Sequence, residues 1–218
     1  MEEEIQETQT IEEKKEDSGL LPKFKLFDKY DLSGIEIQDI GLKNAINIEP
    51  RLIVRSEGRH AEKLGQVKVN IIERLINRMY VAAHRGKKHK IEVGHITGQY
   101  SKTTKTVLEA LNIIEKRKKE NPVKVFVQAI ENCAPRDEVT AVEYGGARYP
   151  QAVDVSPIRR VNIALRNIAH GASDKAFGKK KSLAQGLAEE IVLAADANGE
   201  SSAFRRKNEM EKQADSAR

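Results

Sequence analysis

From residue 67 onward, apolar side chains recur every three or four positions. Val69, Ile72, Ile76, Met79 and Ala83 fall on one face of a helix. A second helix is predicted through Val107, Leu108, Leu111 and Ile114, ending in the charged run Lys116-Arg117-Lys118-Lys119. Asn121-Pro122 then restarts the chain as N-cap and first helical residue. Val123, Phe126, Val127 and Ile130 supply the apolar face of a third helix, which stops before Pro135.

The period changes over residues 138–155. Val139, Thr140, Val142, Tyr144, Tyr149, Val153 and Val155 favour strands, and Gly145-Gly146 can take the two positive φ angles of a tight hairpin turn. That turn sets Glu143 opposite Arg148 and Val142 opposite Tyr149. Pro150 has no N–H for a ladder, so the ribbon keeps a free edge there. A two-stranded ribbon alone is marginal in water, which suggests a partner that holds it.

Helical spacing returns at Ser156-Pro157, read as a cap. Ile158, Val161, Leu165 and Ile168 form one stripe, Gly171 is the expected stop, and Arg159, Arg160 and Arg166 lie off the stripe. After a basic loop, Lys175 to Lys181, Ser182 and Gln185 make a capping box. Leu183, Leu187, Ile191 and Ala194 face inward in the helix that follows, with Gly199 as its expected end. Residues 201–218 carry few apolar side chains beyond Phe204 and Met210, and so have little to bury. Upstream, residues 20–66 hold short apolar clusters (Leu20-Leu21, Ile35-Glu36-Ile37, Leu52-Ile53-Val54) broken by Gly and Pro. The expected organisation is an acidic disordered tail over 1–19 and an extension over 20–66 packed on the core. A helical domain over 67–200 carries the hairpin 138–155, and a basic C-terminal segment fills 201–218. The fold class is mainly α, a bundle of about five to six helices with a protruding two-stranded β-hairpin arm.

Charge sharpens this picture. The net charge of +5 conceals an asymmetry. Residues 1–17 hold eight acidic side chains and two lysines, so the remaining 201 residues carry +11, from 36 basic and 25 acidic groups. A body that basic suits a polyanion, because each cation that neutralises a phosphate releases counterions. The cations cluster at 85–90, 116–119, 159–166, 175–181 and 205–207. Any one such cluster is ordinary solvated surface. Five on separate elements, beside a ribbon carrying Tyr144, Arg148 and Tyr149, match folded RNA, which is bound through shape, phosphates and stacking.

Catalytic sets are missing from the sequence. No phosphate-binding loop ends in Lys-Ser/Thr, and Cys133 has no nearby His and reads as a buried thiol. Asp137-Glu138 is a solvated strand start. His84, His89 and His95 stand in or near a basic loop that repels cations, so phosphate-facing imidazoles are the expectation there. No run approaches the roughly 18 apolar residues of a membrane span, and Met1-Glu2-Glu3-Glu4 is the opposite of a signal peptide's basic start. The expectation is a soluble cytoplasmic protein, not an enzyme, with no cofactor, no metal, no membrane and no small-molecule substrate.

Gly145-Gly146-Ala147-Arg148-Tyr149, followed by Gln151-Ala152-Val153-Asp154-Val155-Ser156-Pro157-Ile158-Arg159-Arg160-Val161, strongly resembles the universal small-subunit ribosomal protein seven family. Asn121-Pro122-Val123 and Ala129-Ile130-Glu131-Asn132-Cys133-Ala134-Pro135-Arg136 are similar to that family's third helix and exit. Gly58-Arg59-His60-Ala61 and the ending Glu209-Met210-Glu211, Ala214, Ser216 and Arg218 resemble its archaeal and eukaryotic branch. The similarity covers roughly residues 24–218. The resemblance implies a structural protein of the small ribosomal subunit that binds 16S-type rRNA and nucleates assembly of the head. The alternative is a transient ribosome assembly factor. It implies neighbouring ribosomal proteins as partners, and a hairpin near mRNA and exit-site tRNA. Paired arginines at the start of the family's fourth helix carry over to Arg159 and Arg160, and the ribbon tip to Tyr144, Gly145, Gly146, Arg148 and Tyr149. Gly86-Lys87-Lys88 matches a family motif by letter but lies too far upstream of Asn121-Pro122. Counting back favours Ser101-Lys102 and makes 85–98 an insertion. The candidate rRNA-binding set is then Arg59, Lys102, Lys105, Arg159, Arg160, Arg166, Lys179, Lys180, Lys181, Arg205, Arg206 and Lys207.

Overall fold

A computed structural model of the chain describes residues 25–32, 34–49, 62–84 and 98–218. The acidic segment 1–19, Arg59, the basic loop 85–90, His89 and His95 lie outside those residues. Among the described residues the architecture is mainly α. The helices are α1 (Ile40–Lys43), α2 (Ile71–Met79), α3 (Tyr100–Lys118), α4 (Pro122–Cys133), α5 (Pro157–Ala176), α6 (Leu183–Ala195) and α7 (Ser202–Ser216). One antiparallel hairpin, β1 (Asp137–Tyr144) and β2 (Ala147–Asp154), interrupts them. The expected bundle of about five to six helices with a hairpin arm is present, and among the described residues the N-terminal extension adds the single turn α1.

Local signals start several helices. Asn121 Oδ1 accepts from the Val123 N–H at 3.0 Å, with Pro122 in the first turn of α4. Ser182 and Gln185 form the reciprocal capping box of α6, at 3.2 Å in both directions. Asn70 caps α2 through the Ile72 N–H. Ser156 differs from expectation. It occupies the N-cap position of α5 but makes no side-chain capping bond, so Pro157 alone supplies the start signal there.

The core lies between α2, α3, α4, α5 and α6. Phe126 is fully buried with Leu111, Ile114, Ile130, Ile168 and Ile191. Residues 25–32 and 34–49 cover one side of it. Leu26 and Leu42 are fully buried. Glu131 Oε1 accepts from the Gln38 and Asp39 N–H groups at 2.6 and 3.0 Å, and the Ile71 N–H donates to Asn47 O at 2.9 Å. Because this layer encloses α2, the helix is buried beyond the one face its spacing predicts, and Glu73 and Arg74 are buried with the apolar stripe.

Two glycines expected as helix stops are not stops. α5 continues through Gly171 to Ala176, and α6 ends at Ala195, before Gly199 is reached. Gly171 serves an approach rather than a turn. A Cβ there would lie 2.6 Å from the Glu190 carboxyl carbon and from Oε1. Glu190 itself is fully buried. Its Oε1 accepts from Ser201 Oγ and from the Ala203 N–H, each at 2.9 Å. Lys175 Nζ sits 2.7 Å from its Oε2, an ion pair whose angles fall short of a hydrogen bond. This buried carboxylate faces the N-terminus of α7, where partial positive charge favours it. The C-terminal segment therefore does bury surface, contrary to the expectation from its composition. Ala203 and Ala214 are fully enclosed, and α7 packs on α5 and β1. Cys133 is a buried thiol, pushed up to about 12 by burial first and by the Glu190 charge second.

Candidate nucleic-acid interface

The hairpin has the register that Gly145-Gly146 dictates. Glu143 pairs with Arg148 and Val142 with Tyr149, with both glycines at positive φ (56° and 84°). Eight residues per strand, at about 3.3 Å each, give an arm on the order of 25 Å long. Only the base of the arm is partly buried. Beyond it Tyr144 is 80% and Tyr149 60% exposed, an arrangement no isolated ribbon needs for its own stability and one that offers stacking faces. The base is fastened from several sides. Arg159 donates to Glu138 with Nε and Nη2, both at 2.7 Å. The Arg136 N–H donates to Glu211 Oε1 of α7 at 3.0 Å, and Arg218 pairs with Asp137. Rigidity at the base with exposure at the tip describes an arm held out toward something.

The paired arginines of α5 part ways. Arg159 is on the surface, its guanidinium engaged by Glu138. Arg160, expected off the apolar stripe and free for RNA, is only 8% exposed. Its Nε donates to Pro135 O at 3.1 Å and its Nη2 to Asp39 Oδ2 at 2.7 Å. Burial alone would raise the Asp39 carboxyl. The hydrogen bonds from Arg160 and the Gly41 N–H outweigh it and hold the group below its ordinary value. Arg160 is thus a tie between the N-terminal extension, the end of α4 and the start of α5. Replacing both arginines by Ala would therefore disturb the fold as well as the surface. Arg160→Ala should cost about 2–3 kcal/mol, since it removes charge-assisted hydrogen bonds and strands Asp39. Arg159→Ala should change stability by under about 1 kcal/mol, as an exposed ion pair. Urea unfolding of the two variants checks this, and equal losses would contradict the difference in burial.

The remaining candidates divide by whether a carboxylate already holds them. Lys181 pairs with Glu189 at 2.9 Å, Arg205 with Glu209 at 3.8 Å and Lys207 with Glu211 at 3.6 Å. The Lys181 hydrogen bond, ahead of other causes, holds the Glu189 carboxyl below its usual range. Lys102, Lys105, Arg166, Lys179, Lys180 and Arg206 have no carboxylate partner among the described residues. Lys102 and Lys105 are exposed one turn apart on α3, and Lys179 and Lys180 are exposed in the loop between α5 and α6. Arg166 is exposed on α5, and Arg206 is half-buried on α7. These cations are spread over four elements of a body carrying an excess of positive charge, which suits an extended polyanion better than a small ligand.

Residues 43–218 match the model of the family described as Ribosomal protein S7p/S5e. The chain belongs to this family. Small ribosomal subunit protein uS7 of Nanoarchaeum equitans is 48% identical to it over 197 residues, covering 90% of this chain and 100% of that protein. The protein of the same name in Methanococcus aeolicus is 45% identical over 196 residues, 89% of this chain and 98% of its own. That of Archaeoglobus fulgidus is 45% identical over 194 residues, 88% and 94% respectively. The resemblance to the archaeal type is therefore a property of nearly the whole chain, and the family is one of structural, non-enzymatic proteins. No helix among the described residues is long and apolar enough to cross a membrane.

Two further arginines of this family member are not marked by the sequence pattern. Arg74 and Arg78 are four residues apart on α2, and their spacing is hidden among the apolar positions that mark the helix. The signal available in the sequence was that i, i+4 relation. What it could not supply is the facing helix, because Asn162 and Arg166 of α5, also four apart, line the same cleft.

Proposed function

We infer that this chain is a structural component of the small ribosomal subunit and binds small-subunit rRNA directly. The observation that carries the reading is the family match over residues 43–218, with archaeal relatives named as small-subunit proteins across nearly the full chain. The spread over α3, α5, the α5–α6 loop and α7 of cations with no carboxylate partner among the described residues supports a phosphate-directed contact. In this reading the helical body is the primary rRNA-binding element and nucleates folding of the head of the subunit. The arm, with Tyr144, Arg148 and Tyr149 at its tip, reaches toward mRNA and exit-site tRNA. Neighbouring small-subunit proteins are the other partners.

The division of labour is testable. Shortening the arm across Tyr144–Tyr149 should leave most of the rRNA affinity intact and disturb tRNA or mRNA handling in reconstituted subunits. Neutralising Arg166, Lys179 and Lys180 together should weaken rRNA binding and lower the salt slope by about two to three. Equal losses of rRNA affinity from both changes would contradict it.

A further inference from the structure

The cleft between α2 and α5 is a built site. Arg74 and Arg78 occupy successive turns of α2, and Asn162 and Arg166 successive turns of α5, so the two helices present matching polar pairs to one space. Arg74 forms the floor and is 5% exposed. Its Nη1 donates to Ala45 O at 2.7 Å and its Nη2 to Asn162 Oδ1 at 3.1 Å, while Nε is buried without a partner. A guanidinium only donates, so the Asn162 carbonyl must turn toward it. The Asn162 amide then donates to Gln66 Oε1 at 3.0 Å, and that leaves the Gln66 amide nitrogen as a donor at the rim. The buried arginine thus orients Asn162 and, through it, Gln66, whose amide is the donor left at the rim.

Among the described residues no carboxylate compensates the charges in the cleft. Arg117, Arg148, Arg159, Arg160, Arg205 and Arg218 each meet a carboxylate. Arg74, Arg78 and Arg166 meet none among the described residues. Burial, and then the neighbouring Arg166 guanidinium, hold Arg78 below its ordinary value, and burial lowers Arg74 to about 10. Like charges held together in a partly desolvated cleft are costly unless an anion completes them. The cleft measures about 330 Å³, at the small end of ligand pockets of roughly 300–1,000 Å³. The planar fork of an arginine matches the geometry of phosphate oxygens.

We propose that this cleft is a phosphate-binding notch in which Arg78 and Arg166 clamp one phosphodiester of folded RNA, with Arg74, Asn162 and Gln66 as its positioned floor. The proposal rests on the rRNA-binding reading and narrows it to one site. It also assigns α2 a role in recognition that its apolar spacing conceals. Because the donors belong to two helices, a bound phosphate also locks α2 against α5.

The test uses the full chain. Inorganic phosphate is titrated at constant ionic strength, with chloride as the competing salt, and binding is followed by NMR shifts of the Arg78 and Arg166 side chains and by the rise in melting temperature. In the second arm, affinity for the protein's own small-subunit rRNA is measured against salt. Arg78→Gln and Arg166→Gln should each weaken phosphate binding by about tenfold or more, the low end for losing a charge-assisted hydrogen bond. Each should lower the rRNA salt slope by about one. Arg166→Lys should recover part of both. Asn162→Asp keeps an acceptor for Arg74 while placing a carboxylate among the three guanidiniums. It should leave the fold intact, abolish the phosphate response and weaken rRNA binding. Phosphate binding equal to wild type in the Gln variants, or in Asn162→Asp, would overturn the notch. So would an unchanged salt slope. Failure of the wild type to bind rRNA, with the phosphate response intact, would instead overturn the functional reading and the RNA phosphodiester as occupant.

Discussion

Raising salt from 50 to 200 mM should weaken binding of this chain to its small-subunit rRNA by about a thousandfold. Six cations set that magnitude. Among the candidates, Lys102, Lys105, Arg166, Lys179, Lys180 and Arg206 are free of carboxylates among the described residues. Six phosphates neutralised by them give a slope of about −5 in log affinity against log salt, on a duplex scale. The other candidates add less, because Lys181, Arg159 and Arg160 must first leave Glu189, Glu138 and Asp39. A slope near zero would mean that the cations are solvated surface. Filter binding or fluorescence anisotropy across the salt range measures it.

The largest effect on stability should come from Glu190. Its carboxylate holds Lys175 on one side and the start of α7 on the other, and it is fully buried. Glu190→Ala leaves Lys175 without its counter-charge and removes the acceptor for Ser201 and the Ala203 N–H. Breaking a buried pair in this way costs about 3–5 kcal/mol. In a protein of this size that corresponds to a fall in melting temperature of roughly 10 °C. Gly171→Ala should also destabilise, although alanine is the better helix former, because its methyl would enter the space of the Glu190 carboxyl. The two changes should not add. With the carboxylate gone, the added methyl has room, so the double variant should be more stable than the sum of the single losses predicts. Strict additivity in thermal unfolding would contradict the contact.

Which features were legible in the sequence follows from how local their causes are. The hairpin register was legible because two glycines at the turn fix every pair behind them. The caps at Asn121 and Ser182 were legible because each is completed within three residues. Gly171 misled because a glycine in a helical run reads as a stop, whereas its role depends on Glu190, on another helix. Arg160 looked free because its partner Asp39 is 121 residues away in the extension. The C-terminal helix looked unsupported because its fastenings are small or distant in sequence: the buried Ala203 and Ala214, and the Glu190 carboxylate on another helix. The α2–α5 cleft fails to show for the same reason, since its floor joins residues 45, 74 and 162. Charge distribution, by contrast, needs no contact to be read, and it pointed to the ligand class before any element was placed.

Footprinting the full chain on its own small-subunit rRNA decides whether it binds that RNA at a discrete site. Hydroxyl radicals cleave the RNA backbone wherever protein does not shield it. Strong, salt-sensitive protection of a discrete part of the head domain is expected, at one protein per RNA. That protection should persist when the arm is shortened across Tyr144–Tyr149 and thin locally when Arg166, Lys179 and Lys180 are neutralised. Protection spread evenly over the RNA, or lost with the arm alone, would contradict it.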